Sequence, residues 1–217
     1  MSRTLCSAVL LAVLATPAFA APEVNKVIDN DRVTVWDVKL AANESAPPKP
    51  TEFDTITVFL GNFIVRTRRA DSNKVAARYF GNAVFTPKGV SSTDTSVLSP
   101  AHEMVIELKG GRGTPNPGPN GIPNAFPRDG SEVMFENDRV VVSRFSWTPG
   151  VAVPMHHHDK DTVMAFRYDG PIRSTGTDGK SEILDFRKDQ ITFSKAGRNH
   201  TELLAGEHQS AVMTELK

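Results

Sequence analysis

The chain has almost no thiol, no excess of either charge and no long apolar run. Its 217 residues contain one cysteine, Cys6, and 25 basic side chains balance 25 acidic ones. Without a surplus of Lys and Arg there is no basic face to neutralise phosphates, which argues against a nucleic-acid partner. The same balance argues against adsorption to an anionic membrane surface. The most apolar stretch, residues 5–14, is too short to cross a bilayer. Long amphipathic helices are missing as well, because no window of the sequence keeps an apolar face at helical spacing.

What the N-terminus does hold is a targeting pattern. MSRTLCSAVLLAVLATPAFA opens with Arg3, continues through the short apolar run and closes on Ala18-Phe19-Ala20. A charged start, a 7–15-residue apolar core and an A-x-A ending read as a signal peptide over residues 1–20. Cleavage after Ala20 would remove Cys6, leaving no thiol for disulfides, thiolate catalysis or thiolate metal ligands. The expected location is periplasmic or secreted, with no membrane association in the mature form.

Beyond residue 20 the sequence repeats itself. VIDNDRVTVWDVKL (27–40) matches MFENDRVVVSRFSW (134–147), sharing N-D-R-V-x-V. FDTITVF (53–59) matches KDTVMAF (160–166) at the same offset of 107, and ELK closes both halves, at 107–109 and 215–217. A period this long indicates two domains rather than a solenoid. The halves are read as 21–109 and 131–217. Between them, residues 110–130 are Gly, Pro or Asn at 14 of 21 positions, a composition that blocks helix and strand and reads as a linker. Ile122 and Phe126 could pin it to a domain surface. A role as a lid is the other reading.

Within each half the pattern is all-β. Runs such as RVTVWDV, TITVFL, RVVVSRFSW and DTVMAF alternate and are rich in β-branched and aromatic residues, with turn signals between them. Many short strands at regular spacing imply a sandwich or barrel.

Three of the six histidines stand together in GVAVPMHHHDKDT (150–162). On a strand, His156 and His158 would share one face and His157 would point away to solvent. A His-x-His pair is a ready chelate, and imidazole suits zinc, copper, nickel and iron. His200, in KAGRNHTELL, is the candidate third ligand. A surface His tract without metal is the competing reading of the spacing alone. Alternation places Thr162, Met164 and Phe166 on the face of the His pair, and Glu202 on the face of His200. Glu202 has three readings: an acceptor for a ligand N–H, a general base, or a solvated group at the barrel mouth. Asp159 and Asp161 read as surface groups or supports for the ligands, and His102 and His208 have no assigned role.

These residues resemble the cupin superfamily, jelly-roll barrels with two degenerate motifs. The first motif is Gly, five residues, His-x-His, three or four residues, Glu, six residues, Gly; Gly150, His156, His158 and Gly170 match it. The second is Gly, five residues, Pro-x-Gly, two residues, His, three residues, Asn; Gly197 and His200 match it. The resemblance implies two tandem cupin barrels, the C-terminal one binding metal through His156, His158 and His200. The family's Glu would fall at Thr162 or Val163, which cannot replace it. Asp161, one residue early, would reach a metal only through a bulge. Asp189, Lys195 and Leu204 replace the second motif's Gly, Pro and Asn.

The first half keeps the scaffold of the second motif in Gly81, Pro87 and Gly89, but Ser92 replaces its His, and Lys49 and Thr51 align with His156 and His158. It is expected to be a degenerate structural partner, with anion binding through Lys49 as the alternative. The resemblance implies one divalent transition metal (Fe, Mn, Zn, Cu or Ni) and a small-molecule ligand or substrate. Dioxygenase-like oxidation at a three-His site is one expectation, with Glu202 as the candidate catalytic group. Non-catalytic binding of a small molecule or metal is the other. Export weighs against ferrous iron, since zinc and copper bind such ligands more tightly. Barrels of this kind commonly dimerise through edge strands, which makes a homodimer the expected assembly.

Overall fold

The computed structural model describes residues 21–49, 52–111 and 113–217. The proposed signal peptide and Thr51 therefore lie outside the described residues. Seventeen strands and no helix are found among the described residues. The first half contains β1 (Glu23–Asp29), β2 (Val33–Leu40), β3 (Asp54–Phe59), β4 (Phe63–Arg68), β5 (Asn73–Arg78), β6 (Ala83–Thr86), β7 (Thr93–Val97) and β8 (Ala101–Leu108). The second contains β9 (Glu132–Glu136), β10 (Val140–Trp147), β11 (Ala152–His157), β12 (Asp161–Phe166), β13 (Gly170–Gly176), β14 (Ser181–Phe186), β15 (Ile191–Ser194), β16 (Asn199–Leu204) and β17 (Gln209–Leu216).

Each half is a pair of antiparallel sheets. In the first, a sheet ordered β1-β2-β8-β3-β6 faces a smaller one ordered β5-β4-β7. In the second, β9-β10-β17-β12-β15 faces β11-β16-β13-β14. The two five-stranded sheets have the same order, so the duplication seen in sequence is a duplication of topology. One strand breaks the correspondence. In place of β11 the described residues of the first half form an irregular segment that still bonds β7 and the turn before it, Ala46 N donating to Asp94 O at 2.8 Å and Lys49 N to Ser92 O at 2.9 Å, with a single bridge between Ser45 and Thr95. In the second half β11 is a regular strand and carries His156 and His157.

The large sheets are buried on both faces, which explains their near-continuous apolar runs. On β2, Val33 and Val35 face one way and Val38 and Leu40 the other, and all four are buried. Val33, Val35, Ile56, Val58, Met104 and Ile106 join Val140, Val142, Val163 and Val212 in one core between the halves. Val38, Leu40, Phe59 and Phe63 fill the first barrel. Phe145, Trp147, Phe166 and Met213 fill the second, with Met164 against them. Each such side chain contributes about 1.5–3 kcal/mol on burial, and the shared core holds the barrels back to back.

The shared N-D-R-V segment is a turn. Asn30 Oδ1 accepts from Arg32 N and Val33 N, both at 2.9 Å. Asn137 Oδ1 does the same for Arg139 N (2.8 Å) and Val140 N (3.0 Å). Short polar side chains that cap their own backbone in this way favour turns. Asp189, where the cupin motif has Gly, adopts φ +64°, and its first-half equivalent Gly81 has φ +88°. Asp tolerates this left-handed conformation better than most side chains, so the departure from the motif leaves the backbone path intact.

The described residues of 110–130 form no strand, but they do not hang free. Asn116 N donates to Asp159 O at 2.8 Å, and Ala125 N donates to His157 O at 2.7 Å. Ala125 is buried, and Phe126 packs edge-on against Phe145 with ring centroids 5.1 Å apart. The segment is a strap laid along the second barrel.

Candidate metal centre

β11 and β16 are antiparallel neighbours, and His156 and His200 are direct register partners. The ladder shifts register between Val153 and His156, around Pro154, which has no N–H to give it. His158 follows β11 directly and is held by the next turn: His158 N donates to Arg198 O at 2.9 Å and Gly197 N to His158 O at 2.7 Å. The three imidazoles meet with ring centroids 4.7–5.2 Å apart.

Glu202 completes the cluster. One ligand atom from each of His156, His158, His200 and Glu202 lies within 4.8 Å of all the others, and all four residues are buried. His200 Nε2 is 3.2 Å from His158 Nε2 and 3.5 Å from Glu202 Oε1. Sequence alternation correctly put Glu202 on the face of His200, but a solvated carboxylate at the barrel mouth is not what the fold builds. The carboxylate that the motif would place at Thr162 or Val163 on β12 stands instead on β16, two residues beyond a histidine.

The surroundings orient these donors. His156 Nδ1 donates to Pro154 O at 2.8 Å, and His200 Nδ1 bonds Ser174 Oγ at 3.1 Å. Engaging Nδ1 turns Nε2 toward the centre, the usual way a ligand imidazole is fixed. Trp147 Nε1 and Arg128 Nη1 both donate to Glu202 Oε2, at 2.8 and 3.2 Å. Oε1 is left facing His200.

Burial sets the protonation states. It drives the pKa of His158 down to about 2, helped by Arg198 and the neighbouring imidazoles. It lowers His200 to about 4 against the pull of Glu202, and lowers His156 as well. For Glu202 burial pushes upward, but Arg128, His200, His156 and the Trp147 hydrogen bond outweigh it, so the carboxyl lies below its ordinary range. The result is three neutral imidazoles and one carboxylate, the protonation states that a divalent metal requires. His156 Nε2 is buried with no hydrogen-bond partner. A buried lone pair aimed at three other donors fits a cation at their centre, since an unpaired buried acceptor is otherwise costly.

His157 is a correction. Expected to face solvent, it is 1% exposed. Its Nδ1 meets Asn199 Oδ1 at 3.0 Å and its Nε2 meets Asn116 O at 2.7 Å. The strap covers it: Gly118 packs so tightly that a Cβ there would sit 2.8 Å from the imidazole. Alternation predicted the direction of His157, but not that chain from outside the barrel would cover that side. Asp161 stands apart from the cluster, accepting from Ala196 N at 2.9 Å and lying 3.4 Å from Arg32. Thr162 and Phe166 are buried in the barrel, and Phe166 stacks on Phe186 at 3.8 Å.

Two residues escaped the sequence reading. Arg128, on the strap, reaches Glu202 and lies over the rings of Phe145 and Phe126, 4.3 and 4.9 Å from their centroids. Nothing local marks it, because its partner is 74 residues away. Arg198, next to the second motif, influences His158 through its charge. Arg128 Nη2 and Arg198 Nε and Nη2 are buried without partners. A cavity of about 560 Å³ opens beside His156, lined by Arg128, Trp147 and Val153 among others. A second, of about 370 Å³, lies beside His200 and Arg198.

The first barrel has a different centre. At the shift of 107 or 108, Lys49 stands for His156, Ser92 for His200 and Asp94 for Glu202. Lys49 Nζ is buried in close contact with Asp94 Oδ2, and Thr67 Oγ1 donates to Asp94 Oδ1 at 2.5 Å. An internal ammonium pairs with the carboxylate here. Asp94 is unmarked in the sequence, because the motifs distinguish only the imidazole positions.

No family model matches the chain, and no curated protein matches its sequence. Solved structures do match. AerE from Microcystis aeruginosa superposes with TM-score 0.66 at 11% identity, over 91% of this chain and 97% of that one. A cupin 2 conserved barrel domain protein from Leptotrichia buccalis gives 0.56 at 13% identity, over 94% and 92%. Bacillus subtilis oxalate decarboxylase, described with Mn(II) centers, gives 0.62 at 10% identity, over 85% and 69%. The chain thus has an all-β fold like that of tandem cupin barrels, with a buried His3Glu group that could hold a metal.

Proposed function

We propose that the protein is a metal-dependent small-molecule enzyme whose working centre is the C-terminal barrel. His156, His158, His200 and Glu202 would hold one divalent transition metal. The observation that carries the proposal is the buried meeting of three neutral imidazoles and a carboxylate, with His156 Nε2 left without a partner. Such an ion would act as a Lewis acid or, where redox-active, support oxidation of a bound organic molecule by oxygen.

The chain's own residues suggest the substrate class. Arg128 borders the cavity beside His156 and Arg198 the cavity beside His200, and each has unused N–H donors. Guanidinium forks match carboxylates, so a small organic acid is the substrate the site fits. Trp147, Phe145 and Phe126 surround Arg128 and exclude water around its charge. Glu202 is held ionised and oriented by Arg128 and Trp147, so the strap takes part in building the site. Similarity to an oxalate decarboxylase supports the same class. Dioxygenase-like oxidation is the reaction we favour, and the N-terminal pattern supports a periplasmic or secreted location.

The test is elemental analysis of the untagged protein and of His156→Ala and His200→Ala, followed by oxygen-uptake and product assays on a panel of short mono- and dicarboxylates. About one metal per chain, lost in both variants, with turnover of a carboxylate, is the expected result. Bound metal with no turnover across the panel would favour the binding-protein reading. No metal in the wild type under any loading condition would overturn the proposal.

A further inference from the structure

The first barrel also has a cavity, of about 270 Å³, lined by Val24, Trp36, Val38, Pro47 and Val105, with Lys49 and Glu103 as its charged groups. Its 46–49 wall is equivalent to the 153–156 wall beside His156. The mouth is therefore open in both halves, although the donor set behind it differs. Glu103 is fully buried, and neither carboxylate oxygen has a hydrogen-bond partner. Lys49 directs its ammonium at Asp94 instead. A buried carboxyl with two unmet acceptor sites is a costly feature that a bound donor would relieve. The group is partly neutralised: burial pushes its pKa up to about 7, with Lys49 and Arg78 opposing and Asp94 adding to the rise.

We propose that the N-terminal barrel is a second, metal-free binding site for a small molecule with an apolar, ring-sized body and a hydrogen-bond-donating head, a hydroxyl or an amine, held by Glu103. Val24, Val38 and Val105 would enclose the body and Trp36 would pack against it. An anionic head is disfavoured, because it would meet two carboxylates while Lys49 is already paired with Asp94 and the Arg78 guanidinium, though near Glu103, does not line the cavity. The C-terminal cavity, with its unpaired guanidinium groups, has the opposite preference.

Benzyl alcohol, benzylamine, toluene and benzoate are suitable probes, each titrated into the full chain by ligand-observed NMR and tryptophan fluorescence. Benzyl alcohol or benzylamine should bind at least tenfold more tightly than toluene, and benzoate should not compete. Glu103→Gln should weaken the amine tenfold or more. Val105→Phe, which fills the cavity, should abolish binding and serves as the readout if Glu103→Gln does not fold. Binding should persist in His156→Ala protein, which separates this site from the metal centre. Preferential binding of benzoate, equal binding of toluene, loss of binding in His156→Ala, or no binding of any probe would each overturn the proposal.

Discussion

Arg139 Nη1 lies 2.6 Å from Asp54 Oδ2, joining the N-D-R-V turn of the second half to β3 of the first. Arg32 and Asp161 are the equivalents of Arg139 and Asp54, and they make the reverse contact at 3.4 Å. The duplicated motif thus serves the pairing of the two barrels, each half supplying an arginine to the other's aspartate. The exchange is unequal. Arg139 also donates to the carbonyls of Gly110 (2.5 Å) and Leu108 (3.3 Å), while Arg32 meets Asp161 through Nε and has one longer carbonyl contact, to Gly111 at 3.5 Å.

That inequality predicts unequal mutants. Arg139→Ala removes a charge-assisted pair and two carbonyl partners, and should cost about 1–3 kcal/mol in urea denaturation. Arg32→Ala breaks a longer pair and one long carbonyl contact, and should cost about 0–1 kcal/mol. Equal costs would show that the interface does not depend on these hydrogen bonds.

Metal affinity should depend on Glu202 and on the strap residue that holds it. Glu202→Gln and Arg128→Ala are each expected to weaken metal binding by about 10–100-fold, read by competition titration against a chromogenic chelator. Arg128→Ala should act by freeing the carboxylate, so Arg128→Lys should recover part of the loss. Unchanged affinity in Glu202→Gln would remove Glu202 from the donor set.

Gly118→Ala should loosen the strap. A Cβ at this position would fall 2.8 Å from the His157 ring, and overpacking of that kind typically costs about 1–3 kcal/mol. Thermal unfolding should show the loss, and hydrogen exchange should show earlier opening of the amides of Ala125 and His157. Pairing the change with His157→Ala, which vacates the space, should recover stability. If the double variant is no better, the strap is held elsewhere.

Glu103 gives a stability term with a defined sign. Its folded pKa of about 7 lies above the ordinary value of 4.5, so between these limits the folded state binds more protons than the unfolded one. Stability contributed by the protonated form is present below about pH 4.5 and is lost as pH rises through 7. Relative to Glu103→Gln, the wild type should lose on the order of 3 kcal/mol across that window. Parallel stability–pH curves would show that Glu103 is not desolvated.

The sequence by itself determined the all-β class, the repeat and the three imidazoles of the candidate centre. Strand alternation and an offset of 107 are local or periodic signals, and His-x-His lies within a single strand. It also placed Glu202 beside His200, because residues two apart on a strand share a face. Only the tertiary structure decided what each side chain meets. The sheet ladder sets His156 opposite His200, and the strap brings Arg128 across to Glu202 and buries His157. Back-to-back packing turns N-D-R-V into an interface. Lys49 and Asp94, unremarkable in sequence, become a buried ion pair where the other barrel gathers its donors. Such partners lie tens of residues apart, and no local period encodes them; they meet because two sheets must bury the same apolar faces.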